Sequence, residues 1–377
     1  SVVIESKDVQ KALNSLHQSF FETQVKRLNL FLVGVGNVGG TLIQQIHNQQ
    51  VTLLNDHKIE LRVVGLANSK KSAFDVGGID LSIWKERLQE GREMTLREFC
   101  SHMIELNLSN SVFVDNTASE AVADEYADIL KESISVIASN KIAASSEQKN
   151  YELLKSLALK HSTDYKYETN VGAGLPVIDT IHSLVKSGDR INEIHAVLSG
   201  SLNFIFNGFT AETTFRGVVK QAMAEGYTEP DPRIDLSGKD VMRKILILAR
   251  VAGYDLEMEQ IESKAFLAEE VFSLPSVEDF ISGLSGVEAD MQSRREAAEA
   301  KGAKLKVVAS FVNGEASVGL QEIPGDHPFY HLEGKDNIVM LYSDRYKEQP
   351  LVIKGAGAGA EVTAMGVFAD IISIANQ

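Results

Sequence analysis

Gly34-Val35-Gly36-Asn37-Val38-Gly39 stands directly after the apolar run Leu28 to Val33 and directly before Leu42, Ile43 and Ile46, which recur at helical spacing. Strand, glycines and helix in that order leave few folds open. Glycine lets the chain turn sharply and lets its backbone approach a pyrophosphate, which then sits at the positive end of the following helix. The glycine spacing alone is weak evidence. With its strand and helix in place it predicts a dinucleotide-binding unit in preference to a tight turn of an unrelated α/β unit. Gly34, Gly36, Asn37, Val38 and Gly39 are its candidate cofactor contacts.

The strand expected over Ile59 to Leu66 ends in Ala67-Asn68-Ser69-Lys70-Lys71, where an NAD-binding unit usually carries an acidic residue for the ribose hydroxyls. No carboxylate is there. A lysine at this point attracts the extra phosphate of NADP, so Lys70 makes NADP(H) the preferred cofactor and NAD(H) the alternative; solvated loop charge is the other reading of Lys70 and Lys71. Two further strand-like runs, Val112 to Val114 and Ile134 to Ala138, lead into Asp115-Asn116-Thr117-Ala118-Ser119 and Ser139-Asn140-Lys141. Ligands of open parallel sheets bind at such carboxyl ends. Asn116, Thr117, Ser139 and Lys141 are therefore candidates for the nicotinamide half of the pocket, although Asp115 also suits a turn and Lys141 a surface position. Gly355-Ala356-Gly357-Ala358-Gly359-Ala360 would ordinarily read as a linker. It follows the apolar run Leu351 to Ile353 and precedes a helical pattern through Val362, Met365, Ala369 and Ile372, so the chain's end is expected to return to the nucleotide domain with Gly359 near the cofactor.

Between Glu229 and Lys244 the chain reads Glu-Pro-Asp-Pro-Arg-Ile-Asp-Leu-Ser-Gly-Lys-Asp-Val-Met-Arg-Lys, a density of charge that suits a substrate site. Pro230 and Pro232 disfavour helix at the residues before them, so a helix starts only afterwards, with Asp235 and Ser237 as capping types and Gly253 as a stop. On it Asp240 and Lys244 are four apart and share a face beside the stripe Val241, Ile245 and Leu248. Such a pair is either a held ammonium within reach of a polar ligand or an ordinary helix-surface ion pair.

Taken together, Gly34 to Gly39, Ser139-Asn140-Lys141, Glu168 to Pro176, Ser199-Gly200-Ser201-Leu202-Asn203, Gly226 to Lys244 and Gly355 to Thr363 resemble homoserine dehydrogenase, over about Leu30 to Gln377. The segment before them, Val3 to Phe21, is similar to the linker of bifunctional aspartokinase/homoserine dehydrogenases, which would make this chain the dehydrogenase half. The resemblance implies reversible reduction of L-aspartate 4-semialdehyde to L-homoserine by NAD(P)H, on the route to threonine, isoleucine and methionine. It implies that Glu229 and Asp235 bind the amino-acid end with Gly200 and Ser201, that Lys141 and Lys244 face the reacting oxygen, and that Asp240 orients Lys244. It also implies a monovalent cation, sodium or potassium, on main-chain oxygens of Glu168, Val171, Ala173 and Leu175.

The expected fold is α/β, a Rossmann-type doubly wound nucleotide domain plus an α+β substrate and dimerisation domain. Its expected parts are an N-terminal linker helix over 1–29 with Val9, Leu13, Leu16 and Phe20 on one face, the nucleotide domain over 30–160, the substrate and dimer domain over 161–349, and the return over 350–377. A formal charge of −15 argues against nucleic acid. Cys100 is the one cysteine, so neither a disulfide framework nor a cysteine metal site is expected, and an aspartate-semialdehyde dehydrogenase would lack its nucleophile. No apolar stretch is long enough to span a membrane. A cytoplasmic homodimer or higher oligomer is the expectation, and another NADP-linked amino-acid or hydroxy-acid oxidoreductase, or a non-catalytic cofactor-binding regulator, are the rival readings.

Overall fold

The structure, a computed structural model, describes residues 3–6, 9, 12–13, 16 and 25–376. The expected N-terminal helix, with Phe20, lies largely outside the described residues. The chain divides into two units: the first runs to Asn170 and resumes at Ala360, and the second is Val171–Gly359.

The first unit is built on seven strands, β1 (Lys26–Val33), β2 (Ile59–Ala67), β3 (Lys71–Phe74), β4 (Arg92–Glu93), β5 (Ser111–Asp115), β6 (Ser135–Ala138) and β7 (Tyr165–Lys166), in the order β4-β3-β2-β1-β5-β6-β7. The pairs β2-β1, β1-β5, β5-β6 and β6-β7 are parallel, and the β3 and β4 edge is antiparallel. Parallel strands joined by helices are buried on both faces, and β1 shows this residue by residue. Leu28, Leu30 and Leu32 join one core with Leu42, Ile43 and Ile46 of helix Asn37–His57 and with Val367 and Ile371 of helix Ala360–Ala375. Phe31 and Val33 point the other way, into a core with Phe99, Met103, Tyr126 and Leu154. The chain builds outward from β1 to β2 on one side and returns to β5 on the other. The sheet order therefore reverses beside β1, the position at which such sheets bind ligands.

The second unit carries β8 (Ile191–Val197), β9 (Glu262–Lys264), β10 (Ala303–Val312), β11 (Glu315–Pro324), β12 (Asp336–Ser343) and β13 (Leu351–Ala356), in the order β13-β12-β8-β10-β11-β9. All its pairs are antiparallel except β11-β9. Helix Gly200–Gly208 packs on β10 and β12, and helix Lys239–Val251 on β10 and β11. The apolar run at 351–353 belongs to this second sheet as its edge strand, paired to β12, so the crossing back to the first unit falls at Ala360 and not at 350. The physical reason is the pairing itself, which satisfies the backbone of β13 against Asp336–Leu341.

Helix Lys239–Val251 begins after the prolines, as its sequence requires, but Asp235 is not its cap. Gly238 is, at φ 70°, and Asp235 lies in the short helix Arg233–Leu236. At the other end Arg250 is 1% exposed and donates to the Leu256 carbonyl at 3.0 and 2.9 Å and to the half-exposed Glu257 at 3.0 Å, fixing the chain's exit. Arg250→Met keeps the bulk but leaves that buried carbonyl short of its donors. We expect denaturant unfolding to show a loss of about 1–3 kcal/mol; unchanged stability would show that the guanidinium does not hold the turn.

Candidate active site

The nucleotide half follows from β1. Gly34 takes φ 85°, and a Cβ there would stand 2.7 Å from Thr117 Cγ2 and 2.9 Å from the Asn116 carbonyl, so the loops after β1 and β5 touch at a residue that only glycine suits. A Cβ on Gly39 would fall 2.0 Å from the Gly34 oxygen, which is how closely the helix start packs on the strand end. Gly36 caps helix Asn37–His57 with no side-chain bond, and no acidic residue stands in the first turn, so the positive helix end, with Asn37 and Val38, is left for an anion. Nothing lies within 4 Å of where a Gly36 Cβ would project.

Behind these loops Asp115 is fully buried and joins two of them. Its carboxylate accepts from Thr117 N at 2.7 Å, Tyr126 Oη at 2.6 Å and Asn140 Nδ2 at 3.0 Å, while its carbonyl accepts from Ser139 N at 2.9 Å. Burial holds the Tyr126 phenol well above its usual range, and the Asp115 carboxylate beside it acts in the same sense. Asn116 follows, both polar atoms of its amide buried without a partner among the described residues. A buried amide left open at the sheet's reversal point is what a nucleotide-binding loop offers before its ligand arrives, and the residues present fit a nicotinamide nucleotide. After β2, Asn68 Oδ1 accepts from the backbone of Lys70 and of Lys71, each at 2.8 Å. Lys71 Nζ donates to the Gln89 carbonyl, whereas the Lys70 side chain is exposed. Lys141, after β6, is half-buried.

In the second unit, Ser201 near the start of helix Gly200–Gly208 donates to Asp235 at 2.7 Å, and the other oxygen of Asp235 accepts from Glu229 N at 2.9 Å. Gly200, Ser201, Glu229 and Asp235 are thus brought to one place. Glu229's side chain is exposed there. Lys244 is 8% exposed; its ammonium donates to the Leu198 carbonyl at 2.6 Å and lies 2.8 Å from Asp240, whose side chain is 45% exposed. Two of its three donors are so engaged, and among the described residues the third has no partner. Asp231 stands apart from this group, clasped by Arg233, whose guanidinium holds its carboxyl below the usual range.

Sequence reasoning missed Asn337. It is fully buried, its Nδ2 donates to the same Leu198 carbonyl at 3.3 Å, and its Oδ1 has no partner among the described residues. Gly357 packs against this amide so closely that a Cβ would sit 2.0 Å from Asn337 Cγ. Gly359, at φ 124°, ends the second unit. Of the expected cation loop, Glu168 lies in the first unit on a short 3-10 turn; Val171, Ala173 and Leu175 lie in the second, with Gly172 at φ 77° and Ala173 at φ 55°. The Leu175 carbonyl already accepts from Val177 N at 2.8 Å. Cys100 is 3% exposed, and burial pushes its thiol up to about 12, so it is no nucleophile.

The first unit's sheet, with its glycine turn after β1, places the chain among the Rossmann-type dinucleotide-binding α/β proteins, and the second unit by itself presents carboxylates and a held ammonium. Comparison with known proteins narrows the class: the family profile described as "Homoserine dehydrogenase" matches residues 176–372, and "Homoserine dehydrogenase, NAD binding domain" matches 34–168. The chain belongs to the homoserine dehydrogenase family. It is similar to bifunctional aspartokinase/homoserine dehydrogenase 2, chloroplastic, of Zea mays, 41% identical over 100% of this chain and 41% of that one. The bifunctional enzyme of Haemophilus influenzae is 37% identical over 99% of this chain and 46% of its own length. The chain thus spans under half the length of these curated relatives. Among solved structures, a Candida auris protein of unknown function superposes at TM-score 0.87 with 34% identity, covering 93% of this chain and 99% of that one. A hyperthermophilic archaeal homoserine dehydrogenase, solved in complex with NADPH, shares the fold at TM-score 0.71 and 24% identity, covering 92% and 97%.

Proposed function

We propose that this chain interconverts L-aspartate 4-semialdehyde and L-homoserine with a nicotinamide nucleotide. The observation that carries the reading is Lys244: an ammonium almost out of water, held by Asp240 and the Leu198 carbonyl, with its third donor unpartnered among the described residues. Bound nicotinamide nucleotide supplies or accepts the hydride. As the aldehyde is reduced, negative charge grows on its oxygen; Lys244 and Lys141 are assigned to that oxygen, stabilising the charge and supplying the proton that makes the alcohol. Glu229 and Asp235 are assigned to the substrate's α-ammonium, and Gly200 N–H with Ser201 to its polar end. Asp235 already accepts two bonds, and a carboxylate has room for about four. Asn116, Thr117 and Ser139 are assigned to the nucleotide beside Gly34 to Gly39, and Gly359 to the same ligand. The main-chain oxygens of Glu168, Val171, Ala173 and Leu175 are assigned to a sodium or potassium ion, hard ligands for a hard cation.

The test is direct. On adding L-aspartate 4-semialdehyde, NADPH absorbance should fall. Phosphate-dependent reduction of NADP, or no change, would overturn the assignment.

NADP(H) is the proposed preference, with NAD(H) as second cofactor. The support is an exposed Lys70 where β2 ends without a carboxylate. Lys70→Glu should lower the ratio of kcat/KM for NADPH over NADH by about tenfold or more, since a charge-assisted contact to phosphate is replaced by repulsion. An unchanged ratio would remove Lys70 from the cofactor site.

The named relatives are fused to an aspartokinase, and this chain aligns with less than half of each, which supports reading it as the dehydrogenase portion of such a protein. A homodimer or higher assembly through the second unit remains part of the proposal. Among the described residues no helix is long and apolar enough to cross a membrane. The cytoplasm is the proposed compartment, although the plant relatives are chloroplastic.

A further inference from the structure

Lys306 is fully buried on β10, and among the described residues no carboxylate lies within ion-pair reach of it. Its Nζ donates to Asn203 Oδ1 at 2.7 Å, Asn207 Oδ1 at 2.5 Å and the Leu332 carbonyl at 2.9 Å. All three ammonium donors are used, each on a neutral oxygen. Burial brings the amine down to about 8; Lys304 acts in the same sense and Glu333 against it. A cation without a counter-charge is a costly way to fill a core, and an apolar residue of similar size would cost less. The expense makes sense only through what the ammonium holds.

Asn203 and Asn207 lie four apart on helix Gly200–Gly208 and so share one face. With their oxygens on Lys306, their amide nitrogens point at a loop: Asn203 Nδ2 donates to the Gly334 carbonyl at 2.8 Å, and Asn207 Nδ2 to the Leu332 carbonyl at 3.0 Å. The ammonium fixes which way both amides face. The loop it clamps ends at Lys335, whose backbone lies against Gly200, where an added Cβ would meet Lys335 Cβ at 3.0 Å and its oxygen at 3.1 Å. Gly200 opens the turn that carries Ser201, and Ser201 holds Asp235.

We infer that Lys306 is a positioning residue: through Asn203 and Asn207 it clamps loop 332–335 against the first turn of helix Gly200–Gly208 and so sets Gly200 and Ser201 for the amino-acid substrate. The inference rests on the reading of Gly200 and Ser201 as substrate contacts. The lysine itself touches no reacting atom.

The test is Lys306→Met in the intact chain, read two ways beside Ser201→Ala. Amide exchange over 332–335 and 200–203 should quicken by about tenfold without any ligand, since the clamp is gone. KM for homoserine should rise by about tenfold, with kcat and KM for the nucleotide within about twofold. If Lys306→Met does not fold, Asn207→Ala, which removes one arm of the clamp, should give both effects in smaller degree. Exchange at the parental rate overturns the clamp whatever the reaction proves to be. Faster exchange with an unmoved homoserine KM, while Ser201→Ala raises it, overturns the positioning role. A homoserine KM unmoved by Ser201→Ala strikes the reading of the substrate site, and the exchange result then decides the clamp alone.

Discussion

Lys244→Ala should lower kcat by about two to four orders of magnitude, the range over which a positioned proton donor and charge stabiliser act. KM for the nucleotide should hardly move. The size follows from where the ammonium sits. At 8% exposure it is out of bulk solvent, and there a fixed cation stabilises an alkoxide far better than water does. It is also held before substrate arrives, by Leu198 at 2.6 Å and Asp240 at 2.8 Å, so little reorganisation accompanies the reaction. Asp240→Asn keeps a polar partner and the ammonium's place on the Leu198 carbonyl, so its loss should be the smaller of the two. Because Asp240 is half-exposed, Lys244→Ala leaves a carboxylate that water can solvate, and the folded state should survive the change. Near-parental kcat in a folded Lys244→Ala protein would reduce the pair to an ordinary helix ion pair.

That pair was legible in the sequence because it is local, four residues along one helix turn. The glycines after β1 were legible for the same reason, since strand, turn and helix are consecutive. What their surroundings would be was not. The Leu198 carbonyl that anchors Lys244 is 46 residues away, Asn337 reaches the same carbonyl from a separation of 139, and Lys306 meets Asn203 across 103. No periodicity or spacing rule reaches so far; only the pairing of β8, β10 and β12 in one sheet brings these segments together. Asp115 lies between these cases. Its type suits a turn, and it does accept from Thr117 N, yet its role as the hub of two loops depends on Tyr126 and Asn140. Asp235 has the residue type of a cap, but Gly238 takes that position, and the partners of Asp235 are Ser201 and the Glu229 backbone, residues that the family resemblance groups with it. The run at 351–353 looked like part of the nucleotide domain because strand, glycines and helix followed one another, but strand pairing is decided by β12 and not by the next helix.

Gly39→Ala should weaken nucleotide binding by about a hundredfold, a change of about 2.8 kcal/mol, even though only one methyl group is added. Its Cβ would stand 2.0 Å from the Gly34 oxygen and 3.0 Å from the Gly34 carbon, both backbone atoms with no side-chain freedom to yield. The helix start must therefore move off the end of β1, taking with it the N–H groups that the proposed function assigns to the pyrophosphate. Overpacking of this kind typically costs about 1–3 kcal/mol of folding stability, so a lower melting temperature should accompany the lost affinity. Gly36→Ala separates the two effects. Among the described residues nothing lies within 4 Å of a Cβ there, and its φ is negative, so the stability lost should be much smaller than in Gly39→Ala. Any affinity lost by Gly36→Ala must then come from the methyl meeting the ligand itself. Titration with NADPH, followed by the fluorescence of the bound nucleotide, reads both variants. A Gly39→Ala protein that binds NADPH as tightly as its parent would mean that the nucleotide does not lie on this helix end, and the assignment of every residue from Gly34 to Gly39 would fall with it.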